Sequence, residues 1–200
     1  MQRIFTFGRT AVMTRHWFEI GVHDGVMEHG SRLELRLLAE EPRRGTDAAA
    51  QRIVLDQPLW RADLFDRLDR EPGTYSAGHY HPAFDGNEPS ARAFDDSLNE
   101  GPWTWATDQL SRVEDLCAAN GITGEWVAED ARDIRTMVGQ IIEAAQRLAP
   151  TECDSVQTCH ALTKDVSAAV RLMAQQMDDV DQLDRVYAAP WLEVEPISQT

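Results

Sequence analysis

The alternation of apolar and polar positions changes character twice along the chain. Val12, Thr14, His16, Phe18, Ile20 and Val22 interleave with Met13, Arg15, Trp17, Glu19, Gly21 and His23. A period of two predicts a half-buried strand, with Phe18, Ile20 and Val22 on its inner face. Asp24-Gly25 and His29-Gly30 mark a loop, and Leu33, Leu35 and Leu37 between Arg32, Glu34 and Arg36 predict a second strand. Glu41-Pro42-Arg43-Arg44-Gly45 closes it, and Ile53-Val54-Leu55 predicts a third. These strands make an antiparallel sheet with one wet face.

Between Asp56 and Gly101 the period is lost. Pro58, Pro72, Gly73, Gly78, Pro82, Gly86, Pro89 and Gly101 interrupt any regular element. Trp60-Arg61-Ala62-Asp63-Leu64-Phe65 fits a short strand or a helical turn equally well. So long a connection inside a compact domain is functional or tightly packed.

Beyond Gly101 the spacing lengthens to that of helices. Pro102 suits the first turn of a helix reaching about Ala119, with Asn120-Gly121 as its stop and Ala106, Leu110, Val113 and Leu116 or Cys117 as its buried stripe. Ala131, Ile134, Val138, Ile141, Ala145 and Leu148 predict a helix from about Glu129 to Leu148, ended by Pro150. A last helix starts near Asp154, with Gln157 completing a capping box, and runs through Val156, Cys159, Thr163, Val166, Val170, Met173, Met177 and Val180. The two heptad stripes predict an antiparallel helical hairpin, which joins two chains as a homodimer if a second copy covers it. The expectation is one α+β domain over residues 1–200: an N-terminal antiparallel sheet to residue 57, a central irregular loop over 58–101, C-terminal helices over 102–187, and a tail over 188–200.

Composition narrows what such a domain does. The chain of 200 residues is 42% hydrophobic, and no stretch approaches the about 18 consecutive apolar residues of a membrane span. The amino terminus has no apolar run followed by a small-residue cleavage site, which predicts a cytoplasmic protein. Three cysteines in no framework spacing fit a reducing compartment. Basic residues number 19 against 34 acidic, a net charge of −15, which excludes binding to a nucleic-acid phosphate backbone. The same charge suits a basic protein partner, as an immunity protein or inhibitor would have, with Trp60, Trp103 and Trp105 as candidate interface anchors.

The densest group of candidate ligands is Gly78-His79-Tyr80-His81-Pro82-Ala83-Phe84-Asp85-Gly86-Asn87-Glu88. On an extended segment His79 and His81 point to one side, so two imidazoles meet one divalent ion (zinc, manganese, nickel or iron), with Asp85 or Glu88 adding oxygen. The alternative expectation is therefore a metal-dependent enzyme or metal-binding protein, weighed against histidines that satisfy loop carbonyls. The spacing of Gly73 to His79-Tyr80-His81 resembles the first motif of cupins, but Arg92 stands where the later glycine belongs, and no second histidine motif follows. Trp60-Arg61-Ala62-Asp63-Leu64-Phe65 and His79-Tyr80-His81-Pro82-Ala83-Phe84-Asp85-Gly86-Asn87-Glu88-Pro89 together resemble an uncharacterised bacterial family with a W-R-x-D-L-F and H-x-H-P-x-F-x-G-x-E-P core. That resemblance implies no activity.

Other candidates carry less. His16, on the apolar strand face, reads as a core histidine, while His23 and His29 flank a turn. Cys159 and His160 are adjacent on a helix and point apart. Asp178 and Asp181 share a helix face in an acidic run that reads as solvated.

Overall fold

A computed structural model describes residues 2–20, 26–40 and 53–148. The second rod of the expected hairpin, the tail, Val22, His23, Cys153, Cys159, His160, Asp178 and Asp181 lie outside the described residues.

Five strands form one antiparallel sheet in chain order: β1 (Gln2–Thr6), β2 (Thr10–Ile20), β3 (Met27–Glu40), β4 (Ile53–Arg67) and β5 (His79–His81). A small hairpin follows, β6 (Phe84–Asp85) with β7 (Glu88–Pro89). The helices are α1 (Asp96–Glu100), α2 (Pro102–Ser111), α3 (Val113–Ala119) and α4 (Glu125–Leu148). The N-terminal sheet and C-terminal helices of the sequence reading are both present, in a mixed α+β fold.

Two corrections concern the middle of the chain. β4 does not stop near residue 57 but runs to Arg67, so Trp60–Phe65 is a strand. Pro58 sits where the β3–β4 register shifts between Arg36 and Leu38, a position at which a residue without an N–H costs no ladder bond. Trp60 and Trp105 are not surface anchors: they are buried and stacked at 6.0 Å, while Trp103 is half-buried and donates its indole N–H to the Tyr75 hydroxyl at 3.0 Å. The aromatic area went into the core because these positions fall on its packing face.

The register sorts the sheet into two faces. Val12, Leu35 and Trp60 lie side by side across β2, β3 and β4, followed by Thr14, Leu33 and Ala62. They pack with Leu98, Ala106, Leu110, Val113, Ala131, Ile134, Ile141 and Ala145 of the helices. The α4 stripe read from the sequence is buried, with Val138 half-buried, and each large apolar side chain so covered contributes about 1.5–3 kcal/mol. Burial along β2 is complete over residues 10–14 and partial over 15–19, so the inner face expected at Phe18 shifts toward the strand's start. The expected first helix is divided, because Arg112 leaves helical geometry at φ −111° and ψ 42°. No helix of the described residues is long and apolar enough to cross a membrane.

Candidate metal centre

The opposite face of the sheet carries charge. The same register places Arg15 beside Arg32 and Asp63, and Met13 beside Glu34 and Arg61. Across β4 and β5, Asp63 faces His79 and Arg61 faces His81. Alternation therefore brings Arg32, Asp63 and His79 into one row, with Arg61 and His81 in the next. Arg92, next to the Ala93 that bridges Tyr80 of β5, reaches Glu19 on β2 at 3.3 Å and Glu28 on β3 at 3.1 Å. In a flat sheet four strand spacings separate β2 from that segment, about 19 Å, more than the two side chains span. The sheet is therefore curled and its charged face concave.

Gly30 lies between Trp17 and Phe65 in the register, and at φ 154° a Cβ there would stand 2.2 Å from the Leu64 carbonyl oxygen. The Trp17 ring covers both Arg15, at 4.2 Å, and Arg32, at 4.6 Å. Gly78, just before β5, is tight for a different reason: a Cβ would stand 2.3 Å from a methyl of the buried Leu98.

At the centre Asp63 is fully buried, with His79 at 0% and His81 at 4% exposure. Arg32 Nε donates to Asp63 Oδ1 at 2.5 Å, and its other arm donates to Glu19 at 2.5 Å. Arg61 Nε stands 3.1 Å from Asp63 Oδ2, and Arg61 Nη2 is 2.9 Å from His81 Nε2. His79 Nε2 is 3.3 Å from Asp63 Oδ2 and His81 Nε2 is 3.8 Å from it.

Backbone carbonyls fix both imidazoles. His79 Nδ1 lies 2.8 Å from the Ala77 oxygen and His81 Nδ1 lies 2.6 Å from the Ser90 oxygen. A carbonyl only accepts, so each Nδ1 carries a proton and each Nε2 turns inward. Neither His79 Nε2 nor Asp63 Oδ2 has a hydrogen-bond partner in this buried place. Asn120, at the end of α3, donates to the Leu59 carbonyl at 2.8 Å and accepts from the Phe84 amide at 3.2 Å, tying β4 to the segment after β5.

Burial raises the Asp63 pKa, but contact with His79, Arg32 and Arg61 more than reverses this and holds the carboxyl well below the usual range. Burial pushes the His81 imidazole down and so favours the neutral ring, an effect partly offset by its contact with the Ser90 carbonyl. For Arg32, burial is outweighed by Asp63 and Glu19, which hold the guanidinium charged.

His79 and His81 converge, as the H-x-H spacing predicts, and the buried carboxylate they meet is Asp63. Asp85 and Glu88 take no place in the cluster; both are exposed on the β6–β7 hairpin, which turns them outward. Asp63, His79 and His81 offer ligand atoms all within 4.8 Å of one another, the one such group among the described residues and a geometry compatible with a divalent ion. Cys117 is no competitor, since burial pushes its thiol up to about 11. No family model matches the chain, and neither the curated proteins nor the solved structures contain a match.

Proposed function

We propose that the protein binds a divalent metal ion through His79 Nε2, His81 Nε2 and Asp63 Oδ2. One observation carries this: the buried His79, His81 and Asp63 offer ligand atoms within 4.8 Å of one another, and His79 Nε2 and Asp63 Oδ2 stand 3.3 Å apart without a well-formed hydrogen bond to any group among the described residues. With His79 neutral, two lone pairs face each other there, and a cation bound between them relieves their repulsion. The donor set of two imidazoles and a carboxylate suits zinc, iron, manganese or nickel, and three protein ligands leave a coordination position open. An ion with an open position acts as a Lewis acid toward a bound carbonyl or activates a bound water.

A proton on His79 satisfies the same pair, and elemental analysis separates the two. Protein purified without an affinity tag is expected to carry close to one equivalent of a transition metal, or to take one up on titration. His79→Ala and His81→Gln should each weaken uptake by more than the roughly 10–100-fold typical of losing an outer-sphere partner. Uptake that is absent, or unchanged by both substitutions, leaves the proton as the occupant.

Binding to a basic protein partner, in a cytoplasmic homo-oligomer, rests on the net charge of −15 and on the heptad stripes. Nothing among the described residues adds to it, and it stands second.

A further inference from the structure

We propose that the centre takes a small organic carboxylate with an apolar body, gripped by Arg61 and laid against Phe94. The inference rests on the metal reading above and names the ligand class of the same site.

Charge is the first ground. Arg32, Arg61 and a divalent ion bring four positive charges to a spot where Asp63 and Glu19 supply two negative ones. Charge left unbalanced in a buried setting is costly, so a further anion stabilises the loaded centre. Position is the second ground. Arg61 contacts two of the three ligand atoms, Asp63 Oδ2 at 3.1 Å and His81 Nε2 at 2.9 Å. An ion bound to those atoms repels the guanidinium and frees its fork. Arg61 Nε faces Asp63 Oδ2 at 3.1 Å without the alignment of a hydrogen bond, so the displaced fork gives up an ion pair but no well-formed hydrogen bond there. A planar guanidinium beside a metal matches a planar carboxylate through two parallel hydrogen bonds.

Apolar surface at the same place is the third ground. Phe94 is 69% exposed, unusual for a phenylalanine, and its ring centre is 6.2 Å from that of His79. Phe84 lies 6.4 Å from the His81 ring and 5.9 Å from the Arg61 guanidinium carbon. Two rings flanking the histidines favour a ligand with an apolar body over inorganic phosphate, which has none.

Metal and carboxylate should therefore each tighten the other's binding, by equal factors. Calorimetric titration with nickel, in the presence of benzoate, acetate or inorganic phosphate, tests this. Benzoate is expected to tighten nickel binding roughly tenfold, within the range usual for coupled sites, with acetate weaker and phosphate weakest. R61Q should bind nickel more tightly than wild type in anion-free buffer, since a competing cation is gone, and should lose the benzoate effect. F94A should bring benzoate down to the level of acetate. Failure of wild type to take up nickel under every condition overturns the metal reading itself. Nickel uptake that ignores benzoate, that responds equally to phosphate, or that keeps its benzoate response in R61Q, overturns this inference alone.

Discussion

The two faces of the sheet are built from the same strands and obey opposite rules. On the helix side, Val12, Leu33, Leu35, Trp60 and Ala62 meet the α2 and α4 stripes, and stability grows with apolar area removed from water. On the concave side, Arg32, Glu34, Asp63, His79 and His81 are about as thoroughly buried, yet each depends on a particular partner. Arg15 and Arg36 share Glu34, at 3.1 and 3.0 Å, and Arg32 bridges Asp63 and Glu19. Apolar packing tolerates substitution by degrees, whereas a buried ionic layer fails when one member is lost.

The sharpest way to break this contrast is to remove a single charge. Asp63→Ala leaves the buried Arg32 with Glu19 as its one remaining ion pair among the described residues and takes from Arg61 its carboxylate partner, and a loss of about 3–5 kcal/mol in urea unfolding is expected. Replacing both partners, as Arg32→Met with Asp63→Leu, should cost less than Asp63→Ala alone. A double variant as unstable as the single one would show that the ionic layer holds the fold in some way other than by mutual pairing.

Ile134→Ala, on the apolar side, is expected to cost about 2–5 kcal/mol. Ile134→Val should cost only about 0.5–1.5 kcal/mol, a graded response that the charged face lacks. Asp130→Ala comes next. Its carboxylate accepts from the amides of Gly8 at 2.9 Å and Arg9 at 2.8 Å and from the Thr10 hydroxyl at 2.8 Å. Losing these charged hydrogen bonds should remove about 1.5–3 kcal/mol.

The smallest effect concerns pH. Burial holds the half-buried His16 and His29 below 6.5, their rings 5.8 Å apart, with Asp66 partly opposing this for His29. The unfolded chain therefore binds more protons than the folded one as pH falls through 6.5 toward the lowered values. Stability is full above that window and declines within it. The urea midpoint should fall between pH 7.5 and 5.5, and His16→Gln should flatten the slope. A midpoint that rises on acidification contradicts this sign.

Legibility in the sequence follows the same division. Leu33, Leu35 and Leu37 gave β3 by alternation, and the 3-4 spacing from Ala131 to Leu148 gave α4, because both signals are periodic and local. The pairing of His79 with His81 was equally local. Asp63 was hidden, since its meeting with His79 depends on a β4–β5 register set across the fifteen intervening positions 64–78 and on Trp60–Phe65 being a strand. One clue was present: alternation through those six residues already separates Arg61, Asp63 and Phe65 from Trp60, Ala62 and Leu64. The two segments of the W-R-x-D-L-F and H-x-H-P resemblance turn out to be neighbouring strands, and their facing residues are those of the cluster. Asp130 was invisible for the same reason as Asp63, because its partners lie about 120 positions away.

That distance has a consequence for synthesis. The bend joining the first two strands is held by side chains near the start of α4, with Asp130 accepting from Gly8, Arg9 and Thr10 and the Trp126 ring under the Arg9 guanidinium, so during translation it stays unlatched until residue 130 has emerged from the ribosome. A ribosome stalled before that point should expose a nascent amino-terminal hairpin open to proteolysis, and one stalled well beyond α4 should not.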